Sequence, residues 1–146
     1  MKPVKPARWT FTVVIALLGL WACWAVAYPG DEKASGEKKP MLYELRIYTT
    51  HEGRLPALHK RFREHTMRLF EKHGMKNIIY WTPTDKDNTL VYVVAHQSLE
   101  AAERSWQGFR NDPEWHKARE ASEADGPIVA KVERMFLSPT EYSPIK

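Results

Sequence analysis

A single cysteine, Cys23, among 146 residues rules out an internal disulfide, and it lies outside the part of the chain patterned as a folded domain. From residue 41 onward there is no thiol nucleophile and no thiolate ligand for a metal, so core packing and partner contacts must hold that part together. Acidic residues are missing from the first 30 positions, and no apolar run long enough to cross a bilayer follows residue 27. Six histidines are present, but no H-E-x-x-H or comparable ligand spacing accompanies them, which removes the usual zinc-protease reading. Asp85 and Asp87 have the alternate spacing of a calcium loop but lack its glycine and distal glutamate, so they read as a turn.

What is present begins with a leader. Residues 1–10 carry Lys2, Lys5 and Arg8, residues 11–27 are apolar without a break, and Ala25-Val-Ala27 is a small-x-small cleavage box. This pattern predicts a signal peptide cleaved after Ala27 and a secreted or periplasmic protein. The other reading is an uncleaved anchor, since 17 apolar residues lie at the lower end of the roughly 17–25 that span a bilayer. Any membrane association would then run through this segment. Leu20-Trp-Ala-Cys23 loosely resembles a lipidation box, with the bulky Trp21 against it. The full chain has a net charge of +4, but the leader takes three basic residues and no acid, leaving 19 basic against 18 acidic residues. A balance of +1 without a clustered basic face gives no support to nucleic-acid binding.

Residues 28–40 are charged and poor in apolar side chains, a composition that predicts a flexible linker. A domain over residues 41–137 follows, with an irregular tail at 138–146. Tyr43, Leu45 and Ile47 alternate with Glu44, Arg46 and Tyr48, the period of two of a strand. Leu55, Leu58, Phe62, His65 or Thr66, and Leu69 recur at helical spacing, with Pro56 in the first turn and Gly74 as the stop. Residues 75–82 and 90–96 read as strands around a polar hairpin at 83–88. Ser98 caps a predicted helix over 99–110, and Asp112-Pro113 starts a shorter one over 115–123. Residues 128–137 form the last strand. The order β-α-β-β-α-(α)-β is an α+β, ferredoxin-like arrangement. Helices cover one face of such a sheet; the other, expected to hold Tyr48 and several valines, needs a second copy of the chain, which predicts a homodimer.

Four strings in fixed order, Tyr43-Glu-Leu-Arg-Ile-Tyr48, Glu71-Lys-His-Gly74, Tyr80-Trp81 and Asp112-Pro-Glu-Trp115, resemble the NIPSNAP domain over roughly the whole predicted domain. The resemblance implies a dimeric α/β barrel related to antibiotic-biosynthesis and haem-degrading monooxygenases, in a family without an agreed reaction. The secretory leader suggests an exported bacterial member. One departure from the family pattern is Val94, at a third-strand position where a tryptophan is expected, which implies a larger and less aromatic pocket.

The candidate ligand-contacting residues are Arg46, Tyr48, His65, Trp81, His96 and Trp106; no catalytic residue and no metal ligand is assigned. Arg46 is a fixed charge for an anionic or carbonyl-bearing ligand and Tyr48 a donor, although an ion pair between subunits explains the same residues. His65, on the apolar helix face, and His96, at a strand end, read either as hydrogen-bonded structural histidines or as a ligand or base. His59 and His73 read as solvated or capping groups. For haem, the resemblance brings Trp106 and His116 into consideration as the pair found in haem-degrading relatives. Aligning the Asp112 string, however, sets Arg119 at the histidine position, and packing of Trp106 and Trp115 into the core is the simpler account. Three functions follow: an exported dimeric module binding a small molecule, a cofactor-independent or haem-dependent monooxygenase, or a recognition or structural protein of the cell envelope.

Overall fold

The computed structural model describes residues 40–145; the predicted leader and nearly all of the linker lie outside this range. The elements are β1 (Leu42–Thr50), α1 (Leu55–Arg61), a π-helical turn (Phe62–Thr66), α2 (Met67–Lys72), β2 (Lys76–Trp81), β3 (Thr89–His96), α3 (Leu99–Arg110), α4 (Pro113–Ser122) and β4 (Val129–Leu137). The strands form one sheet in the order β2-β3-β1-β4, every neighbouring pair antiparallel. This is the predicted α+β, ferredoxin-like topology. No helix among the described residues is long and apolar enough to cross a membrane.

Local chemistry sets the element ends. The Ser98 side chain accepts from the Ala101 N–H and starts α3, and Asp112 accepts from the Glu114 N–H and starts α4 with Pro113 at its first position. Gly74 takes φ +80°, the left-handed conformation that turns the chain from α2 into β2. The single helix predicted from residue 55 onward is broken by the π-helical turn, which inserts one residue into the helical register. Phe62 and Thr66, at its two ends, are both buried, and Thr66 Oγ1 donates to the Arg61 carbonyl at 3.2 Å. His65 is displaced towards solvent, with a side chain 44 % exposed. The sequence left the choice between His65 and Thr66 open, and the structure buries Thr66.

The core lies between helices and sheet, built from Leu58, Phe62, Leu69, Phe70, Met75, Leu90, Tyr92, Val94, Trp106, Phe109 and Ile128. Here one expectation is corrected. Tyr48 does not lie on the open face of the sheet; it packs edge-on against Phe62 and Tyr92 on the helix side. Glu44, Arg46 and Tyr48 point towards the helices, and Tyr43, Leu45 and Ile47 towards the open face. The more polar half of β1 can face inwards because Glu44 and Arg46 pair with each other. Trp81 is about half exposed on the open face, together with Ile79, Met135 and Leu137. The tail borders a groove of about 400 Å³ there, walled by Ile79, Trp81, Val93, Pro139 and Ile145.

Candidate functional site

Glu44 is fully buried at the centre of the sheet. One carboxylate oxygen accepts from Arg46 at 2.9 Å; the other accepts from the Trp106 indole at 2.5 Å and meets His96 Nε2 at 3.0 Å. Burial alone would raise the pKa of this carboxyl. The bonds from His96 and Trp106 and the charge of Arg46 outweigh it and hold the carboxyl below its usual range. An ionised carboxylate only accepts, so His96 Nε2 carries the proton in this contact. His96 Nδ1 has no partner among the described residues. The Arg46 guanidinium lies over the Trp106 ring, 4.1 Å from its centroid, within cation–π range. Glu44 thereby fixes Arg46 and Trp106 in one orientation.

Those two side chains form part of the wall of a cavity of about 290 Å³ between sheet and helices. Tyr48, Phe62, Phe70, Phe109 and Trp115 supply most of its aromatic surface, and Val129 and Val132 of β4 close one side. Its charged groups are Arg46, Arg61, Arg110 and Arg119 against one carboxylate, Glu123. Arg61 owes its place to the end of α1, immediately before the π-helical turn; it is buried, and its guanidinium lies 5.1 Å from the Trp115 ring. Arg61 NH1 donates to Glu123 at 2.9 Å and Arg119 Nε donates to the second Glu123 oxygen at 3.0 Å. Burial pushes the Glu123 pKa up, but the bonds from Arg61 and Arg119 prevail and leave it below the usual carboxylate range. Counting Glu44 behind the wall, four guanidiniums face two carboxylates. The cavity is an aromatic box with surplus positive charge.

The NIPSNAP family profile matches residues 43–144, most of the chain and nearly all of the described part. The chain belongs to the NIPSNAP family. Solved structures agree in fold. A NIPSNAP family protein with unknown function from Agrobacterium tumefaciens is 22 % identical with a TM-score of 0.64, over 73 % of this chain and 95 % of that one. An uncharacterized NIPSNAP-like domain protein from Burkholderia xenovorans is 21 % identical with a TM-score of 0.63, over 71 % of this chain and 89 % of that one. SnoaB, a cofactor-independent oxygenase from Streptomyces nogalater, is 17 % identical with a TM-score of 0.53, over 72 % of this chain and 98 % of that one. No curated protein is matched.

Within this NIPSNAP domain the six residues singled out in the sequence fall into three groups. Arg46, Tyr48 and Trp106 line the cavity. His96 stands behind the wall and reaches the cavity only through Glu44. His65 and Trp81 lie elsewhere: the π-helical turn carries His65 to the outer surface of the helices, 3.9 Å from Glu64, and the pleat sends Trp81 to the open face. Val94 is buried in the core and is not part of the cavity wall, so a valine where the resemblance led to the expectation of a tryptophan does not widen this cavity. Arg119 lines the cavity while His116 is exposed on α4. Among the described residues no histidine, methionine or cysteine lines the cavity, which leaves Tyr48 as the lining side chain of a type that ligates haem iron. No cluster of three or more potential metal ligands occurs among them either. His73, read as a solvated or capping group, donates from Nε2 to the Asp112 carboxylate at 2.7 Å and ties the end of α2 to the start of α4.

Sequence reasoning missed Arg61, Arg110 and Glu123. The signal for Arg61 was available: it is three residues after Leu58 and beside Phe62, on the face that the apolar spacing assigns to the core. Glu123 had no such signal, because its partner Arg61 is 62 residues away.

Proposed function

We propose that this domain binds a small aromatic anion in the cavity between sheet and helices. The observation that carries the reading is the lining itself: aromatic faces on most sides and four guanidinium groups against one carboxylate. Small-molecule sites are mostly apolar with a few placed polar groups, and volumes of about 300 Å³ lie at the lower end of their range. That size suits one or two fused rings. Arginine rather than lysine suits planar carboxylates, since its fork donates two parallel bonds.

A cofactor-independent oxygenase, the activity named for SnoaB, is the second reading, supported by Trp106 and Tyr48 in the wall. Such chemistry needs a group free to take the substrate proton. Glu44 is enclosed by Arg46, Trp106 and His96, and Glu123 is held by two arginines, so the lining favours binding over proton abstraction. Oxygen uptake on adding a quinol-like substrate would reverse that preference. Export through the leader and pairing of two domains through the open sheet face complete the proposal, and presentation of a recognition surface at the cell envelope remains compatible with both.

Tryptophan fluorescence titrated with benzoate, naphthoates and their neutral amides tests the binding reading. The acids should quench emission more strongly than the amides, and Val132→Trp, which fills the cavity from an exposed strand position, should abolish the response. Equal response in the variant, or none with any acid, would remove the cavity as a binding site.

A further inference from the structure

Resting on that reading, we infer that Glu123 is a built-in competitor that occupies the place of the ligand's carboxylate, so that the cavity selects aromatic monocarboxylates able to displace it. Both Glu123 oxygens are engaged, one by Arg61 at 2.9 Å and the other by Arg119 at 3.0 Å. A benzoate- or naphthoate-type carboxylate offers the same pair of acceptors to the same donors. Glu123 is also the residue at which α4 ends and the chain turns, its carbonyl accepting from the Gly126 N–H at 2.9 Å, so its side chain leaves a helix terminus rather than a helix interior. Arg61 is held independently of it: NH1 also donates to Ser122 Oγ at 3.2 Å, and the guanidinium lies 5.1 Å from the Trp115 ring. When Glu123 swings out to solvent, Arg61 keeps its position and the ring of the incoming acid lies against Trp115 and Trp106.

Internal occupation sets a threshold. Water, chloride and flexible aliphatic acids gain too little from the aromatic walls to displace a tethered carboxylate, whereas a flat aromatic acid gains both the two arginines and the stacking. Glu123 thus acts as a specificity-determining residue, keeping the site closed to anions that bring charge alone.

The test is calorimetric titration of 1-naphthoate and of acetate into the full chain and into Glu123→Gln, which keeps the shape and removes the charge. Wild type should bind naphthoate weakly and acetate not detectably. The variant should bind naphthoate at least tenfold more tightly and gain measurable affinity for acetate. Naphthoate bound equally well by both proteins would overturn the competitor role while leaving the cavity reading intact; failure of both to bind any aromatic acid would overturn the two together. If Glu123→Gln does not fold, Glu123→Asp, one methylene shorter, serves instead. It should tighten naphthoate binding severalfold, and an unchanged or weakened affinity there counts against the inference.

Discussion

Glu44 has no exposed surface, and three donors surround it. A buried charge of this kind is tolerable only while its partners remain: removing one member strands the other in a medium that solvates it poorly. Glu44→Ala should therefore cost about 3–5 kcal/mol, the range for breaking a buried pair, because Arg46 is left with its charge and no counter-ion. Urea unfolding followed by circular dichroism measures it, and a loss under about 1 kcal/mol would mean that water already reaches Arg46. Acid dependence follows from the same residues. The carboxyls of Glu44, Asp112 and Glu123 are all lowered in the folded chain, Asp112 chiefly by the bonds from Lys72 and His73. Unfolded, they titrate near the ordinary value of about 4, so below neutrality the unfolded chain takes up protons first. Their contribution is complete above that value and is lost as pH falls through the lowered folded values. Urea midpoints should thus fall steeply below about pH 4; a midpoint that rises in acid would contradict this assignment.

At the scale of elements, the contact between α2 and α3 rests on a missing side chain. A Cβ added at Gly108 would lie 2.7 Å from His73 Nδ1, and that ring is held at its other nitrogen by Asp112 at 2.7 Å. Alanine is better than glycine in a helix by up to about 1 kcal/mol, yet here the overlap decides the sign. Gly108→Ala should destabilise by about 1–2 kcal/mol in the wild type and stabilise in a His73→Ala background. A double-mutant cycle in urea separates the two effects, and additive behaviour would show that the ring moves aside freely. The elements themselves were legible in the chain: Ser98 and Asp112 announce helix starts, and the alternation in residues 43–48 announces a strand. Two features were not legible. The π-helical turn uses the same residue types as an α-helix would, so nothing in the spacing favours Thr66 over His65. The alternation in β1 also misleads about which face is inside, because Glu44 and Arg46 are burial-competent only together with His96 and Trp106, from β3 and α3.

For the whole molecule, the uncovered side of the sheet is the dominant fact. β4 forms one edge of the sheet and is exposed along nearly its whole length, and its Met135 and Leu137, paired with Leu45 and Tyr43, add apolar surface to the open face. A long apolar edge strand and a half-covered sheet are surfaces that soluble proteins pair or cover. The chain should sediment as a dimer at micromolar concentration. Met135→Arg, at a position about half exposed in the single subunit, should yield monomers while changing subunit folding by less than about 0.5 kcal/mol. A wild type that stays monomeric, or a variant that stays dimeric, would exclude this face as the interface. The topology was readable because a chain of this length with seven segments in the order β-α-β-β-α-α-β has few ways to cover an antiparallel sheet. The cavity was only half readable: Arg46, Tyr48 and Trp106 stood out as residue types, whereas Arg61 and Glu123 meet only after the chain has folded.

The four-membered knot around Glu44 also carries a consequence for descent. Exchanging Trp106 for phenylalanine or Arg46 for leucine, one at a time, takes a donor from the buried Glu44 carboxylate and leaves its charge under-satisfied. Homologous chains should therefore keep Glu44, Arg46, His96 and Trp106 as a block, or replace them as a block with apolar residues, and lineages caught with only part of the quartet should be rare.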